Sequence, residues 1–209
     1  MSRFTLIITA PSTRRNEMAK RHRCTGSTPL SGYVKRYEKA RGCASYRVLP
    51  GALIVLSNGL SKEDHYELYE SMNAEYPGIR VVSVVHENPL YALIKASKIM
   101  ERESLYYEDG VEREYHIGYF TPKSIPNDLL NNLVHAYSTL FNTAMLLLNS
   151  GSLPLKVSIR GVLAVLNKFI LNQLDYIKAR VHVNVGVDYS AREAVKKAIG
   201  RMGTSTRCS

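Results

Sequence analysis

Arg14, Arg15, Lys20, Arg21, Arg23, Lys35, Arg36, Lys39 and Arg41 crowd one stretch that holds only Glu17 and Glu38 as acids. Cations at this density attract polyanions, because each can pair with a phosphate oxygen. The whole chain of 209 residues carries a formal charge of +10, and this stretch supplies most of it. Two readings fit such a block: attraction of RNA or a nucleotide, or a solvated basic face. Tyr66, Tyr69, Tyr106 and Tyr107 add rings of a kind that stacks on bases, or that packs at the edge of a core. Arg160 sits in a turn, where its guanidinium matches phosphate geometry or simply meets solvent.

The remaining reactive residue types form no constellation. His86, His116 and His182 fall in or beside apparent strands, and none has a second residue at metal-ligand spacing. Glu87 and Asp188 follow strand ends, where an acid starts a turn more readily than it serves as a base. Cys24, Cys43 and Cys208 are few, odd in number and far apart, so they imply no disulfide framework and no zinc site. There is no glycine-rich phosphate loop. No apolar run approaches the length of a membrane span, and the first strand is too short to be a signal peptide. A cytoplasmic location with no membrane partner is the expectation.

These residues need elements to hold them. Residues 4–9 read as a buried strand. A short helix is expected at Glu17 to Arg23, and another at Gly32 to Arg41 with Tyr33, Val34 and Tyr37 on one face. Strands at 45–49 and 52–57 flank Pro50-Gly51 as a hairpin. Ser61 with Asp64 forms a capping box for a helix to about Tyr76, stopped by Pro77-Gly78. Arg80 to His86 is a strand, and Asn88 caps a helix with Pro89 in its first turn. Residues 101–113 are strongly charged and read as a linker or an interdomain hairpin. Asn127 caps a long helix whose Leu129, Leu130, Leu133, Val134, Tyr137, Leu140, Phe141, Ala144, Leu147 and Leu148 form a broad stripe expected to be buried. A hairpin around Arg160-Gly161, a helix from Lys168 to Ala179, a strand from Val181 to Val187 and a helix capped by Ser190 follow.

The order occurs twice. Pro11 answers Pro122 at an offset of 111 residues, Val48 to Leu56 answers Ser158 to Leu166 at 110, and Val81 to Ala96 answers Val183 to Ala198 at 102. A repeat of this length marks two fused domains rather than a solenoid. Each copy reads as strand, helix, hairpin, helix, strand, helix. That order satisfies an α+β, ferredoxin-like domain: an antiparallel sheet with helices packed on one face. The expected division is domain 1 over 1–100, linker 101–113, domain 2 over 114–202 and a flexible tail from 203.

Such a unit resembles the palm domain of polymerases and nucleotide cyclases. The tandem pair resembles archaeal GTP cyclohydrolase III, which opens the imidazole ring of GTP. The likeness is carried by Ala52 to Leu60, by Glu75-Tyr76-Pro77 with Val81 to Val85 and Asn88 to Ala92, and by Val183 to Val187 with Ser190 to Ala194. It covers most of the chain. The resemblance implies magnesium, held by carboxylates at the end of the first strand and at the hairpin tip. This sequence has Thr9-Ala10-Pro11 and Phe120-Thr121-Pro122 at the strand ends, and Pro50-Gly51 and Arg160-Gly161 at the tips. None is an acid.

The expectation is therefore a non-catalytic relative of that architecture, without a cofactor, that binds RNA or a ribonucleoprotein through the basic segment 14–41. Arg160 is a further phosphate contact. The alternatives are an active GTP cyclohydrolase with relocated magnesium ligands, with GTP or another nucleotide as partner, and a structural scaffold that forms homo-oligomers.

Overall fold

The computed structural model describes residues 1–9, 29–49, 51–123 and 129–200. The expected helix at Glu17 to Arg23, the cap at Asn127, Pro50 and the tail from 203 lie outside them. The first half contains β1 (Ser2–Ile8), α1 (Pro29–Arg41), β2 (Ala44–Leu49), β3 (Ala52–Leu56), α2 (Lys62–Glu75), β4 (Arg80–His86), α3 (Pro89–Met100) and β5 (Leu105–Tyr107). The second contains β6 (Tyr115–Pro122), α4 (Leu129–Asn149), β7 (Leu153–Ser158), β8 (Gly161–Val165), α5 (Lys168–Asn172), α6 (Leu174–Lys178), β9 (Val181–Asp188) and α7 (Ala191–Gly200).

The first sheet runs β2-β3-β1-β4-β5 and the second β7-β8-β6-β9. All pairs are antiparallel except β4 with β5. This is the ferredoxin-like strand order, twice. The charged stretch expected as a linker therefore contributes an edge strand to the first sheet, with Val82 opposite Tyr106. The second half has no counterpart to β5 among the described residues.

Each sheet is buried on both faces. On one face of the first sheet, Ile7, Leu53, Val55 and Val81 pack under Leu30, Val34 and Tyr37 of α1 and Leu68 and Met72 of α2. In the second half, Phe120, Val162, Ala164 and Val181 pack with Leu140, Ala144 and Leu147 of α4, Ile170 of α5 and Ile177 of α6. The opposite faces share one core. Phe4, Leu6, Ile54, Leu56, Val82 and Val84 join Tyr115, Ile117, Leu153, Leu163 and Val165, with Ala92, Ala96 and Met100 of α3 and Ala191, Ala194 and Ala198 of α7.

Two helical layers thus cover one face of each sheet as expected, while the last helix of each half crosses to the other face. Small residues allow this close approach. A side chain on Gly186 of β9 would lie 2.0 Å from the carbonyl oxygen of Ala194.

Strand registers fix the correspondence between halves. Leu53 and Val55 face the helices in the first half, and Val162 and Ala164 do so in the second. The hairpins therefore correspond at an offset of 109, not 110, with identical lengths for β2 and β7 and for β3 and β8. Phe4 pairs with Leu56 and Val84, as Ile117 pairs with Val165 and Gly186, so β1 and β6 correspond at 113 rather than 111. The offset of 102 for the last strand and helix holds.

Two helices differ from expectation. The segment from Lys168 breaks at Gln173 (φ −102°, ψ 5°) into α5 and α6. The apolar stripe of α4 is only partly covered. Leu140, Ala144 and Leu147 are buried, but Leu133, Val134, Tyr137 and Phe141 are exposed. Its apolar residues span more of the circumference than one sheet can cover.

Candidate functional site: a basic cleft between the halves

α1 is amphipathic because Leu30, Val34 and Tyr37 recur at helical spacing and bury against the sheet. Its other side carries four of the nine cations in the basic stretch. Arg36 and Arg41 turn toward α2. Arg36 pairs with Glu67 at 3.1 Å and lies 4.8 Å over the ring of Tyr37, and Arg41 approaches Asp64 at 3.7 Å. Lys35 and Lys39 turn the other way, toward the second half.

There they line a cleft of about 510 Å³ together with Arg192 and Lys196 of α7. Glu38, Cys43, Ala44, Ser45, Tyr46 and Val195 complete it. Lys196 is paired with Glu193 at 2.6 Å. Lys35, Lys39 and Arg192 have no acidic partner among the described residues. The one carboxylate in the lining is already engaged: Glu38 Oε1 accepts from the amide of Ser45 at 3.0 Å and from its hydroxyl at 2.6 Å. Four cations against one carboxylate give the cleft an excess of positive charge.

The floor holds no nucleophile. Burial, aided by Glu38, pushes the Cys43 thiol up to about 12, so it stays protonated and inert. Burial also pushes the Tyr46 hydroxyl up to about 12, leaving it a neutral donor.

The cleft is specific to one side of the repeat. The buried faces of α1 and α4 match at an offset of 110, Leu30, Val34 and Tyr37 answering Leu140, Ala144 and Leu147. Lys35 and Lys39 therefore correspond to Met145 and Asn149, and by the offset of 102 Arg192 and Lys196 correspond to Leu90 and Ile94. A smaller cleft of about 310 Å³ between the halves sets Glu87 and Glu114 against Arg113 and Lys168, so it has no comparable excess of cationic side chains.

Cations of the sequence-predicted site are thus partly brought together. Lys35 and Lys39 line the cleft, Arg36 and Arg41 brace α1 on α2, and Arg14, Arg15, Lys20, Arg21 and Arg23 lie outside the described residues. Arg160 is exposed in the β7–β8 turn and does not line the cleft. Arg192 and Lys196 escaped the sequence reading, since only the fold carries α7 to α1.

The positions that the resemblance assigns to magnesium do not fit the ion. Thr9 directs its amide (2.9 Å) and hydroxyl (3.3 Å) to the carbonyl of Gly51. In the second half Tyr119 donates to the carbonyl of Arg160 at 3.2 Å. No carboxylate stands at either place. Among the described residues no group of three or more His, Cys, Asp or Glu could hold a metal. Of the histidines that the sequence singled out, His86 Nδ1 accepts from the amide of Asn88 at 2.9 Å, burial lowers His116, and His182 is exposed on β9.

A second polar cluster lies at the junction and is closed. Arg3, 1% exposed, bonds Glu112, the Ser83 hydroxyl (3.1 Å) and the carbonyl of Glu108 (2.9 Å), and stacks on Tyr107 at 4.1 Å. Glu112 also accepts from the amide of Gly59 at 2.7 Å and from the hydroxyl of Tyr189. Every charge here is internally matched, so the cluster ties the halves together.

Fold and site define a tandem ferredoxin-like α+β protein with a basic cleft where its halves meet. No family model matches the chain, and no curated protein matches it by sequence. Among solved structures it is similar to a bacterial light-regulated adenylyl cyclase, with a TM-score of 0.29 and 10% identity over 97% of this chain and 83% of that one. At that level nothing about this chain's activity follows. No helix among the described residues is long and apolar enough to cross a membrane.

Proposed function

We propose that this protein is a cytoplasmic, non-catalytic RNA-binding protein, related in architecture to GTP cyclohydrolase III. The cleft cations Lys35, Lys39, Arg192 and Lys196 contact phosphates, and the basic segment that leads into α1 extends the contact. The observation that carries this reading is the convergence of four cations from two distant parts of the chain on one cleft, three of them without an acidic partner among the described residues. A solvated basic face needs no such convergence. The counterpart positions Met145, Asn149, Leu90 and Ile94 carry no charge, so the cationic cleft belongs to one side of the repeat only.

The test is titration of the full-length protein into labelled single-stranded RNA at several salt concentrations. Affinity falls steeply between about 50 and 200 mM salt if several phosphates are neutralised. Binding that ignores salt, or release of product from GTP that EDTA abolishes, overturns the proposal in favour of the scaffold or the enzyme.

A further inference from the structure

Independently of the cleft, α4 carries a face that nothing in the described chain covers. Leu133 (48% exposed), Val134 (62%), Tyr137 (62%), Phe141 (51%) and Met145 (41%) form it. Four of them recur every fourth residue, which makes one ridge along the helix. The helix contains no Asp, Glu, Lys or Arg in its 21 residues, although the chain as a whole carries +10. Singly exposed apolar residues are ordinary, but a contiguous ridge is not.

We infer that this face of α4 is the interface of a homodimer, packed against α4 of a second copy in antiparallel fashion. Charge selects the occupant. Two copies that each carry +10 repel one another, and a contact made through an uncharged helix brings no like charges face to face. α4 presents no Asp, Glu, Lys or Arg. A nucleic acid would find no phosphate partner on it, and helices that lie on membrane surfaces carry Lys or Arg on their polar side.

Geometry agrees. A two-fold axis between Tyr137 and Phe141 sets Tyr137 near the partner copy's Phe141 position and Leu133 near its Met145 position. Ridges of this spacing pack on each other at about −50°. Five half-exposed side chains of this size bury on the order of 500 Å² per copy. The total of roughly 1,000 Å² reaches the lower bound of a specific interface, so association in the micromolar range is expected.

The experiment is sedimentation velocity of the full-length chain across micromolar concentrations. The wild type is expected to shift toward twice its 23.5 kDa, while Tyr137→Glu/Phe141→Glu stays monomeric with an unchanged circular dichroism spectrum. A wild type that stays monomeric, or a folded double variant that still dimerises, overturns the proposal and hands the face to a different partner. If the charged variant does not fold, cysteine cross-linking decides. Tyr137→Cys/Phe141→Cys, the pair beside the axis where crossed helices come closest, should give an oxidised dimer in a background with Cys24 and Cys208 replaced by Ser, and neither single variant should give it. Absence of that dimer, or equal dimer from a single variant, counts against the antiparallel α4 interface.

Discussion

Ser190 and Gly42 lock the second half to the first. The Ser190 hydroxyl donates to the carbonyl of Gly42 at 3.0 Å while accepting from the amide of Glu193, so one side chain caps α7 and closes the end of α1. The amide of Arg192 joins the same carbonyl at 3.0 Å. The reciprocal contact runs the other way: the amide of Leu90 donates to the carbonyl of Gly151 at 3.2 Å, beside the Asn88 cap of α3. The two contacts obey the offsets of 109 and 102, so the halves are related by a pseudo-two-fold axis. Gly42 is also the neighbour of Cys43 at the cleft floor, so this lock sets where Lys39 and Arg192 stand.

Both glycines should therefore be intolerant of a side chain. Gly42 has φ +72° and Gly151 φ +86°, in the left-handed region. A Cβ on Gly42 would lie 2.3 Å from Ser190 Oγ, and on Gly151 2.3 Å from Asn88 Nδ2. Gly42→Ala and Gly151→Ala should each cost about 1–3 kcal/mol. Gly32, inside α1 with nothing within 4 Å, should gain about 0.5–1 kcal/mol on change to Ala. Urea unfolding of the three variants checks this. Equal effects at Gly32 and Gly42 would refute the lock.

Glu112 should be the most costly carboxylate to neutralise. Burial alone would raise it, but bonds from Tyr189, Arg3 and the amide of Gly59 outweigh burial and hold it below the usual carboxylate range. A lowered carboxylate adds stability above its unfolded-state value and loses it as pH falls through its folded value. Glu112→Gln leaves Arg3 buried without a counter-charge, so it should cost about 3 kcal/mol or more at neutral pH. It should also flatten the loss of stability on acidification below about pH 4.5. A loss under about 1 kcal/mol would mean Arg3 has other compensation.

His65 gives the fold a different pH signature. It is fully buried, its Nδ1–H donates to the carbonyl of Ser61 at 2.8 Å and its Nε2 accepts from the Thr5 hydroxyl at 2.8 Å. Burial lowers it from 6.5 to about 4. The unfolded chain thus takes up a proton that the fold refuses as pH falls from 6.5 toward 4. Stability should fall across that window by up to about 1.4 kcal/mol per pH unit. His65→Gln should be less stable at neutral pH but lack this slope. Unfolding free energies measured at several pH values decide it, and an unchanged slope in the variant would assign the effect elsewhere.

Much of the fold could be read from the residues. The strands at 4–9 and 80–86, the caps at Ser61, Asn88 and Ser190, and the duplication rest on local chemistry that a sequence displays. The register did not. Aligning Gly51 with Gly161 gives 110, but a one-residue slip moves every strand side chain to the other face, and only pairing reveals it. Ala92 and Ala96, matched by Ala194 and Ala198, stood out in the sequence only as part of the repeat; that they let α3 and α7 lie close on the sheets shows in the packing alone. Half of the cleft was legible because Lys35 and Lys39 stand in a dense basic run. Arg192 and Lys196 stand among mixed charges, and their role depends on a contact between residues about 150 apart.

The cleft itself is tested by separating its cations from their neighbours on α1. Lys35, Lys39 and Arg192 lack acidic partners among the described residues, whereas Arg36 and Arg41 face Glu67 and Asp64. Both groups lie on the surface, so neither set of changes should disturb the core. Lys35→Gln/Lys39→Gln/Arg192→Gln should weaken RNA binding to a similar degree across sequences, since phosphate contacts carry no sequence information. Each lost contact lowers the slope of log affinity against log salt by about 0.7 on single strands, so the triple change should lower it by about 2. Arg36→Gln/Arg41→Gln should lower it less, because those cations must first leave their carboxylates. A third variant that replaces Arg14, Arg15, Lys20, Arg21 and Arg23 by Gln measures the share of the preceding segment. Fluorescence anisotropy at several salt concentrations reads all three. If the cleft triple binds as wild type while the segment variant loses affinity, the contact lies wholly in residues before α1. If neither loses affinity, the basic stretch is a solvated face and the RNA-binding reading fails.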